Sequence, residues 1–308
     1  MYIPPQGIYF RLVGHASQHV LFSRNHADPE FWHYKGPEYE DQLFTLIYGT
    51  GSRAGLYAIK SKRTGKVLFS RTSQEPFVGH IDGNGAYSDN WFNLEEGSGT
   101  YAKLFRLLYP ATGVVIFSRT TLDPQVGNCT KANIYSDQYF SFAFEDMVVK
   151  SVEYDVALGK ILNVISHVLA DHTLRNNSYH EQEVAFDFSE NITHTSTFEY
   201  TTGFAITAGT EFSAGIPFVS EGKISIGASQ SNEWKFGTQN TFTRTYAAHF
   251  PGVKAGPHQT VHAVSAVQQG TLEVPYTIHL ASKSAGVEVV TKGLWHGVSS
   301  WGLHHDIT

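Results

Sequence analysis

The chain has 308 residues, 41% of them hydrophobic and only 16% charged, and its net charge is −6. That is enough apolar residue for one large core or two ordinary ones. The acidic balance excludes nucleic acid as a main partner, because phosphate binding needs a basic face, and 14% aromatics with abundant Thr, Ser and Gly point to an all-β chain.

The opening "MYIPPQGIYF" has two prolines and no long apolar run, so it does not read as a secretory signal. No later stretch approaches the ~18 apolar residues of a membrane helix. Cys129 is the single cysteine, which leaves no internal disulfide and no cysteine-based zinc site. Together these features predict a soluble protein without a signal peptide, made in a reducing compartment.

From Gly7 onward the first half repeats itself. "HVLFSRNHADP" from His19, "KVLFSRTSQEP" from Lys66 and "VVIFSRTTLDP" from Val114 each place a proline five residues behind an arginine, namely Arg24, Arg71 and Arg119. Behind them "DQLF" from Asp41, "DNWF" from Asp89 and "DQYF" from Asp137 recur at 48-residue steps. Ahead of them stand "GIYFRL", "GLYAIKS" and "KLFRLL". Each unit is a set of short alternating runs broken by turns, which suits a propeller blade or one lobe of a trefoil. Three copies are too few for a propeller, and three copies close a β-trefoil. The repeated Phe and Leu are explained by core packing; the repeated polar residues are not.

A threefold chain with Asp-Gln-x-aromatic near the end of each unit resembles the ricin-type β-trefoil lectins. "AGLYAIKSK", "TGKVLFSR", "FEDM", "SKSAGVEV" and "GVSSW", drawn from both halves, resemble still more closely the haemolytic pore-forming lectins known from the mushroom Laetiporus. The resemblance implies galactoside binding, with the amide of the repeated motif orienting a neighbouring polar residue on the sugar. Units two and three supply matching parts: "PFVGHIDGNGAYSDNWF" lines up without gaps on "PQVGNCTKANIYSDQYF". Asp89 and Asp137 can accept from vicinal hydroxyls, and Arg71 and Arg119 can donate to sugar oxygens. Gly79 and Gly127 admit a close backbone amide. Tyr87 and Tyr135 can stack or cap, His80 and Asn128 are variable contacts, and Asn90 and Gln138 are the motif amides. A plainer reading pairs Arg with Asp inside each unit as a brace, and the two readings are compatible. Unit one is one residue shorter between Arg24 and Asp41 and its "PEFWHYKGPEYEDQLF" has lost the Val-Gly and Tyr-Ser-Asp of the others, so its site is expected to be degraded.

After "FEDMVVKSVEYD" the repeat stops, which predicts a trefoil over residues 1–149 and a second domain over 150–308. The second half is long, Ser/Thr-rich β-sequence, a poor fit to helix. Within it Phe204, Ile206, Ala208, Phe212 and Ala214 alternate with small or polar residues, and Ile224, Ile226 and Ala228 do so again. "GIPFV", carrying Ile216 and Phe218, reads as an apolar turn between two arms. One apolar and one polar face suits a barrel strand in lipid around a wet lumen, and equally a half-buried strand of a soluble sandwich. The second half resembles the aerolysin-type pore-forming modules, which implies an elongated β module that binds a receptor, assembles into a ring and pools one hairpin per subunit.

No G-x-S-x-G elbow, P-loop, calcium loop or H-E-x-x-H motif is present, and no catalytic set emerges, so a non-enzyme is expected, with no cofactor and no metal. The expected partners are galactose-containing glycans on glycoproteins or glycolipids, a target cell membrane and further copies of the chain. A non-lytic multivalent lectin whose second domain only oligomerises is the alternative.

Overall fold

The computed structural model describes residues 1–26, 28–36, 38–206 and 209–308; within these, the side chains of residues 228–232, 248 and 251 are not described. The chain divides into two compact units, Met1–Val148 with Ala281–Val289, and Val149–Leu280 with Val290–Thr308.

The first unit holds β1 (Phe10–Gly14), β2 (Val20–Ser23), β3 (Phe31–Tyr34), β4 (Phe44–Tyr48), β5 (Tyr57–Ser61), β6 (Val67–Ser70), β7 (Val78–Ile81), β8 (Asn93–Glu96), β9 (Phe105–Tyr109), β10 (Val114–Ser118), β11 (Val126–Thr130) and β12 (Phe140–Phe144). β1, β4, β5, β8, β9 and β12 close a ring of antiparallel neighbours. The hairpins β2–β3, β6–β7 and β10–β11 form the cap, one per repeat. This is the expected β-trefoil. The phenylalanine that ends each Asp-Gln-x-Phe-type motif pairs with the first strand of its own lobe: Phe44 with Phe10, Phe92 with Tyr57, Phe140 with Phe105. These phenylalanines are fully buried, with Leu12, Leu46, Ile59 and Leu107 beside them in one core.

The serine of each Phe-Ser-Arg is buried as well, and it is the lock between lobes. His33 Nδ1 lies 2.7 Å from Ser118 Oγ, His80 Nδ1 lies 2.6 Å from Ser23 Oγ, and Asn128 Nδ2 donates to Ser70 Oγ at 2.9 Å. Lobe one thus bonds lobe three, lobe two bonds lobe one, and lobe three bonds lobe two. Ala281–Val289 belongs with this unit because Ser282 Oγ donates to Glu145 Oε1 at 2.7 Å and Lys283 Nζ pairs with Asp146 at 3.2 Å. The separate motifs "FEDM" and "SKSAGVEV" are therefore spatial neighbours.

The second unit is built from β13 (Met147–Tyr154), β14 (Lys160–Arg175), β15 (Gln182–Gly203), β16 (Glu211–Ser220), β17 (Lys223–Lys235), β18 (Asn240–Ala255), β19 (Thr260–Ser282) and β20 (Glu288–Ile307). One sheet runs β13-β19-β20-β15-β18 with β14 also on β19, while β16 and β17 form a two-stranded sheet of their own. Long strands with every second residue turned inward suit the β-branched, Ser/Thr-rich sequence. Phe198 is the hub of the interior, with ring contacts to Phe212, Trp234 and Tyr276 at 5.0, 5.6 and 5.1 Å.

The inter-lobe lock is testable. Ser118→Ala leaves His33 Nδ1 without its partner in a buried place and also removes the 2.7 Å contact to Ser17 Oγ. A lost buried hydrogen bond costs about 1–3 kcal/mol, whereas Thr121→Ala, on an exposed loop, should stay within about 0.5 kcal/mol. Urea unfolding of both variants checks this, and equal midpoints would remove the lock.

Candidate carbohydrate sites and candidate membrane hairpin

The repeated arginine and proline act on each other. The guanidinium carbons of Arg24, Arg71 and Arg119 lie 4.3, 4.0 and 4.3 Å from the ring centroids of Phe22, Phe69 and Phe117. Each Nε donates to the carbonyl of the proline five residues on, Pro29, Pro76 or Pro124, at 3.1, 3.2 and 3.1 Å. The bonds Asp28-Pro29, Glu75-Pro76 and Asp123-Pro124 are all cis. With Nε held and one face on a ring, the guanidinium is fixed in place, and its terminal nitrogens remain as further donors.

Each aspartate sits in a short 3-10 turn, Glu40–Gln42, Ser88–Asn90 or Ser136–Gln138. The next residue, Gln42, Asn90 or Gln138, is buried, and its amide oxygen accepts from the backbone of Tyr39, Tyr87 or Tyr135 at 3.0, 3.2 and 3.5 Å. The motif amide therefore fixes the turn that carries the acid. The tyrosine rings stand in solvent beside it, 48, 53 and 54% exposed. Asp137 Oδ2 is 4.0 Å from Arg119 Nη1, the one Arg–Asp approach of this kind among the described residues. That is the outer limit of an ion pair, so the brace is weak and the carboxylate keeps accepting capacity. Oδ1 of Asp41 and of Asp137 is buried without a hydrogen-bond partner among the described residues. Burial pushes the Asp137 carboxyl up, and Arg119 opposes that rise. A half-buried carboxylate oxygen with no protein donor is able to accept from a hydroxyl.

The structure gives four of the expected contact residues other duties. His80 and Asn128 lie in the inter-lobe lock, His80 also reaching Glu30 Oε2 at 3.1 Å. Gly79 and Gly127 sit beneath the rings that carry the arginines: a Cβ there would come within 2.8 Å of Phe69 and 2.7 Å of Phe117. Lobe one differs at this point, because Trp32 pairs with Phe22 where the other lobes have glycine. It has not lost its tyrosine, however. Tyr39 takes the place of Tyr87 and Tyr135, Arg24 holds Pro29, and Asp41 has the same buried oxygen. The missing residue shortens the cap, and the turn survives.

In the second unit the hairpin differs from the sequence expectation in three ways. "GIPFV" is strand, not turn: it lies inside β16, and the reversal comes at Glu221 and Gly222, whose φ values of 50° and 75° favour such a turn. Phe204 and Ile206 precede β16 rather than belonging to it; the Phe204 amide donates to Val290 O at 2.9 Å. Ala208 lies outside the described residues. A bulge between Ala214 and Ile216 then reverses the alternation. Phe212 opposite Trp234, Pro217 opposite Ile226 and Val219 opposite Ile224 share one face; Ile216 opposite Gly227 and Phe218 opposite Ser225 share the other. Phe212, Ala214, Val219 and Trp234 are buried. Tyr154 Oη donates to Gly215 O at 2.9 Å and the Val219 amide to Ser299 Oγ at 3.0 Å, fastening the hairpin to its own unit. The arms are 10 and 13 residues long, against about 9–11 for a tilted strand crossing hydrocarbon.

The model of the Clostridium epsilon toxin ETX/Bacillus mosquitocidal toxin MTX2 family matches residues 128–295, more than half of the 308. The chain belongs to that toxin family. The match begins inside the third trefoil lobe and contains the whole β16–β17 hairpin. A BEL β-trefoil in an apo crystal form is 50% identical, over 46% of this chain and 96% of its own, with a TM-score of 0.44. The lamprey immune protein is 16% identical, over 99% of this chain and 92% of its own, with a TM-score of 0.41. The aerolysin-like protein of Bombina maxima is 13% identical, over 51% and 96%, with a TM-score of 0.36. Comparison with curated proteins gave no match. No helix among the described residues is long and apolar enough to cross a membrane, and a toxin-family unit that crossed with strands would need none.

One buried histidine near the hairpin bears on the pH dependence of stability. His194 on β15 is 2% exposed, and neither ring nitrogen has a partner among the described residues. Its ring lies 5.2 Å from Phe242, which with Ile216 and Phe218 lines a cavity of about 510 Å³. Burial, and then Arg244, hold its pKa below the ordinary 6.5. The folded chain thus binds fewer protons at this site than the unfolded chain. The stability this supplies is whole above pH 6.5 and is lost as pH falls through the folded value. His194→Phe should therefore reduce the fall in urea midpoint between pH 7.5 and pH 5, measured by fluorescence; an unchanged fall would assign the pH dependence to other groups.

Proposed function

We propose that the chain is a galactoside-binding lectin of the toxin family, which gathers on cell-surface glycans, assembles into a ring and inserts β16–β17 as its share of a β-barrel pore. The observation that carries the sugar reading is Asp137 Oδ1, buried and unpartnered beside a fixed arginine and an exposed tyrosine. Vicinal hydroxyls supply the missing donors, the guanidinium donates to a third oxygen, and the ring covers the apolar side of the sugar. Lobe two carries the same residue types, Arg71, Asp89 and Tyr87, on the same arginine platform and turn, and each weak site gains avidity when a ring displays many. The pore reading rests on family membership and on a hairpin whose one face is apolar near its tip, with Pro217, Val219, Ile224 and Ile226. A barrel is required because an open hairpin leaves strand edges unpaired in lipid.

Asp41→Ala, Asp89→Ala and Asp137→Ala together should abolish retention on immobilised lactose while near-ultraviolet dichroism stays unchanged; a folded triple variant that still binds would remove the assignment. On the hairpin, Val219→Lys with Ile224→Lys places two charges on the lipid face, where a lysine costs about 2–4 kcal/mol at the midplane and about 0–1 kcal/mol near an interface. Dye release from galactolipid vesicles should fall to background, whereas Ser213→Lys on the opposite face should alter ion selectivity and leave release intact. Sugar binding without any dye release by the unmodified chain would favour a non-lytic, oligomerising lectin.

A further inference from the structure

We infer that the first unit carries a second saccharide site, for a glycan bearing a sulfate or carboxylate, in the cavity between the Gln6–Tyr9 segment and strands β4 and β5. The cavity measures about 640 Å³, and its wall includes Gln6, Tyr9, Thr45, Lys60, Lys62 and Asn84. Lys60 and Lys62 flank the buried Ser61, so the strand's alternation turns both to the same outward side. The fold does not require them. Phe10, Tyr57 and Phe105 hold equivalent places in the barrel, opposite Phe144, Tyr48 and Glu96. Three residues on from these stand Val13, Lys60 and Leu108; five residues on stand His15, Lys62 and Pro110. Lobe two alone has lysine at both.

Nor are the two charges neutralised. Lys60 forms no ion pair among the described residues, and Lys62 reaches Glu40 only at 3.8 Å, with its ammonium 4.9 Å from the centroid of Tyr9. Two half-buried ammonium groups in one hollow of a chain with net charge −6 form a local anion site. The rest of the wall is neutral: side-chain amides from Gln6 and Asn84 and an aromatic ring from Tyr9. Such groups take hydroxyls and the face of a sugar, and the lysines take the anion. This inference stands apart from the galactoside reading, since it uses none of the arginines, aspartates or exposed tyrosines of the three lobes.

The test is equilibrium binding of the full chain to a sulfated heparin disaccharide, to inorganic sulfate and to phosphatidylserine vesicles. The disaccharide should bind more tightly than sulfate, lose affinity as salt rises, and bind at least about tenfold more weakly to Lys60→Gln/Lys62→Gln, the loss expected for one charge-assisted hydrogen bond. Lys60→Arg/Lys62→Arg should retain binding, and unchanged near-ultraviolet dichroism should show that both pairs of substitutions fold. Disaccharide binding unaffected by the glutamine pair, or absent from the unmodified chain, would overturn the proposal. Equal affinity for inorganic sulfate, or binding to the vesicles alone, would overturn it too, by showing a bare anion or a lipid headgroup as the ligand.

Discussion

One face of the β16–β17 hairpin is wholly apolar near its tip, and in water that face has to be covered. Phe212, Val219 and Trp234 are the residues covered most fully, and each buried side chain of this size contributes about 1.5–3 kcal/mol. Phe198 covers Phe212 and Trp234, and Tyr276 packs on Phe198 in turn. A bulge at Gly215, held by Tyr154, sets which residues face inward. The long strands of the second unit can be understood as what this cover requires. On the proposed reading, once enough copies stand side by side for their hairpins to close a barrel, lipid would replace the cover and no edge would be left unpaired. His194 lies next to this arrangement, uncharged and without partners among the described residues, so acid acts against the stored state.

The trefoil meets a different constraint, that of presenting polar groups rigidly on short loops. Its solution is used three times: a phenylalanine platform under an arginine, a proline carbonyl for the arginine's Nε, and a buried amide holding a turn on which an aspartate rides. Rigidity matters because a sugar is held by a few directional bonds, and loops that had to be ordered on binding would weaken them. The serine beside each arginine ties the lobe to a neighbour, so the same three-residue motif serves both the proposed binding surface and the joining of the lobes.

Much of this was legible in the sequence, because threefold repetition at a fixed step leaves few architectures and three copies close a trefoil. The same repeat puts Arg119 within 4.0 Å of Asp137; the Arg–Asp–Tyr grouping as a sugar site is a proposal. The inter-lobe lock was not: His33 and Ser118 are 85 residues apart, and nothing local marks them as partners. Gly79 and Gly127 invited a reading as room for a ligand, yet the room is filled by Phe69 and Phe117. Tyr39 was hidden by a one-residue deletion that shifts it against the arginine while leaving it in place against the aspartate. In the second unit, alternation showed that a hairpin exists but not where it turns. A single bulge changes the parity, so Ile216 and Phe218 left the face shared by Phe212 and Ile224, and Glu221-Gly222 became the turn in place of "GIPFV".

The central claim is that the hairpin must leave its own unit to make a pore. It is tested most directly by tying it down, with cysteines in place of Val219 and Ser299, where the two strands touch at 3.0 Å, and serine in place of Cys129. The oxidised protein should bind lactose resin as the unmodified chain does and release no dye from galactolipid vesicles, and reduction should restore release. Full release by the protein while the disulfide is intact would contradict the account and show that another segment crosses the membrane.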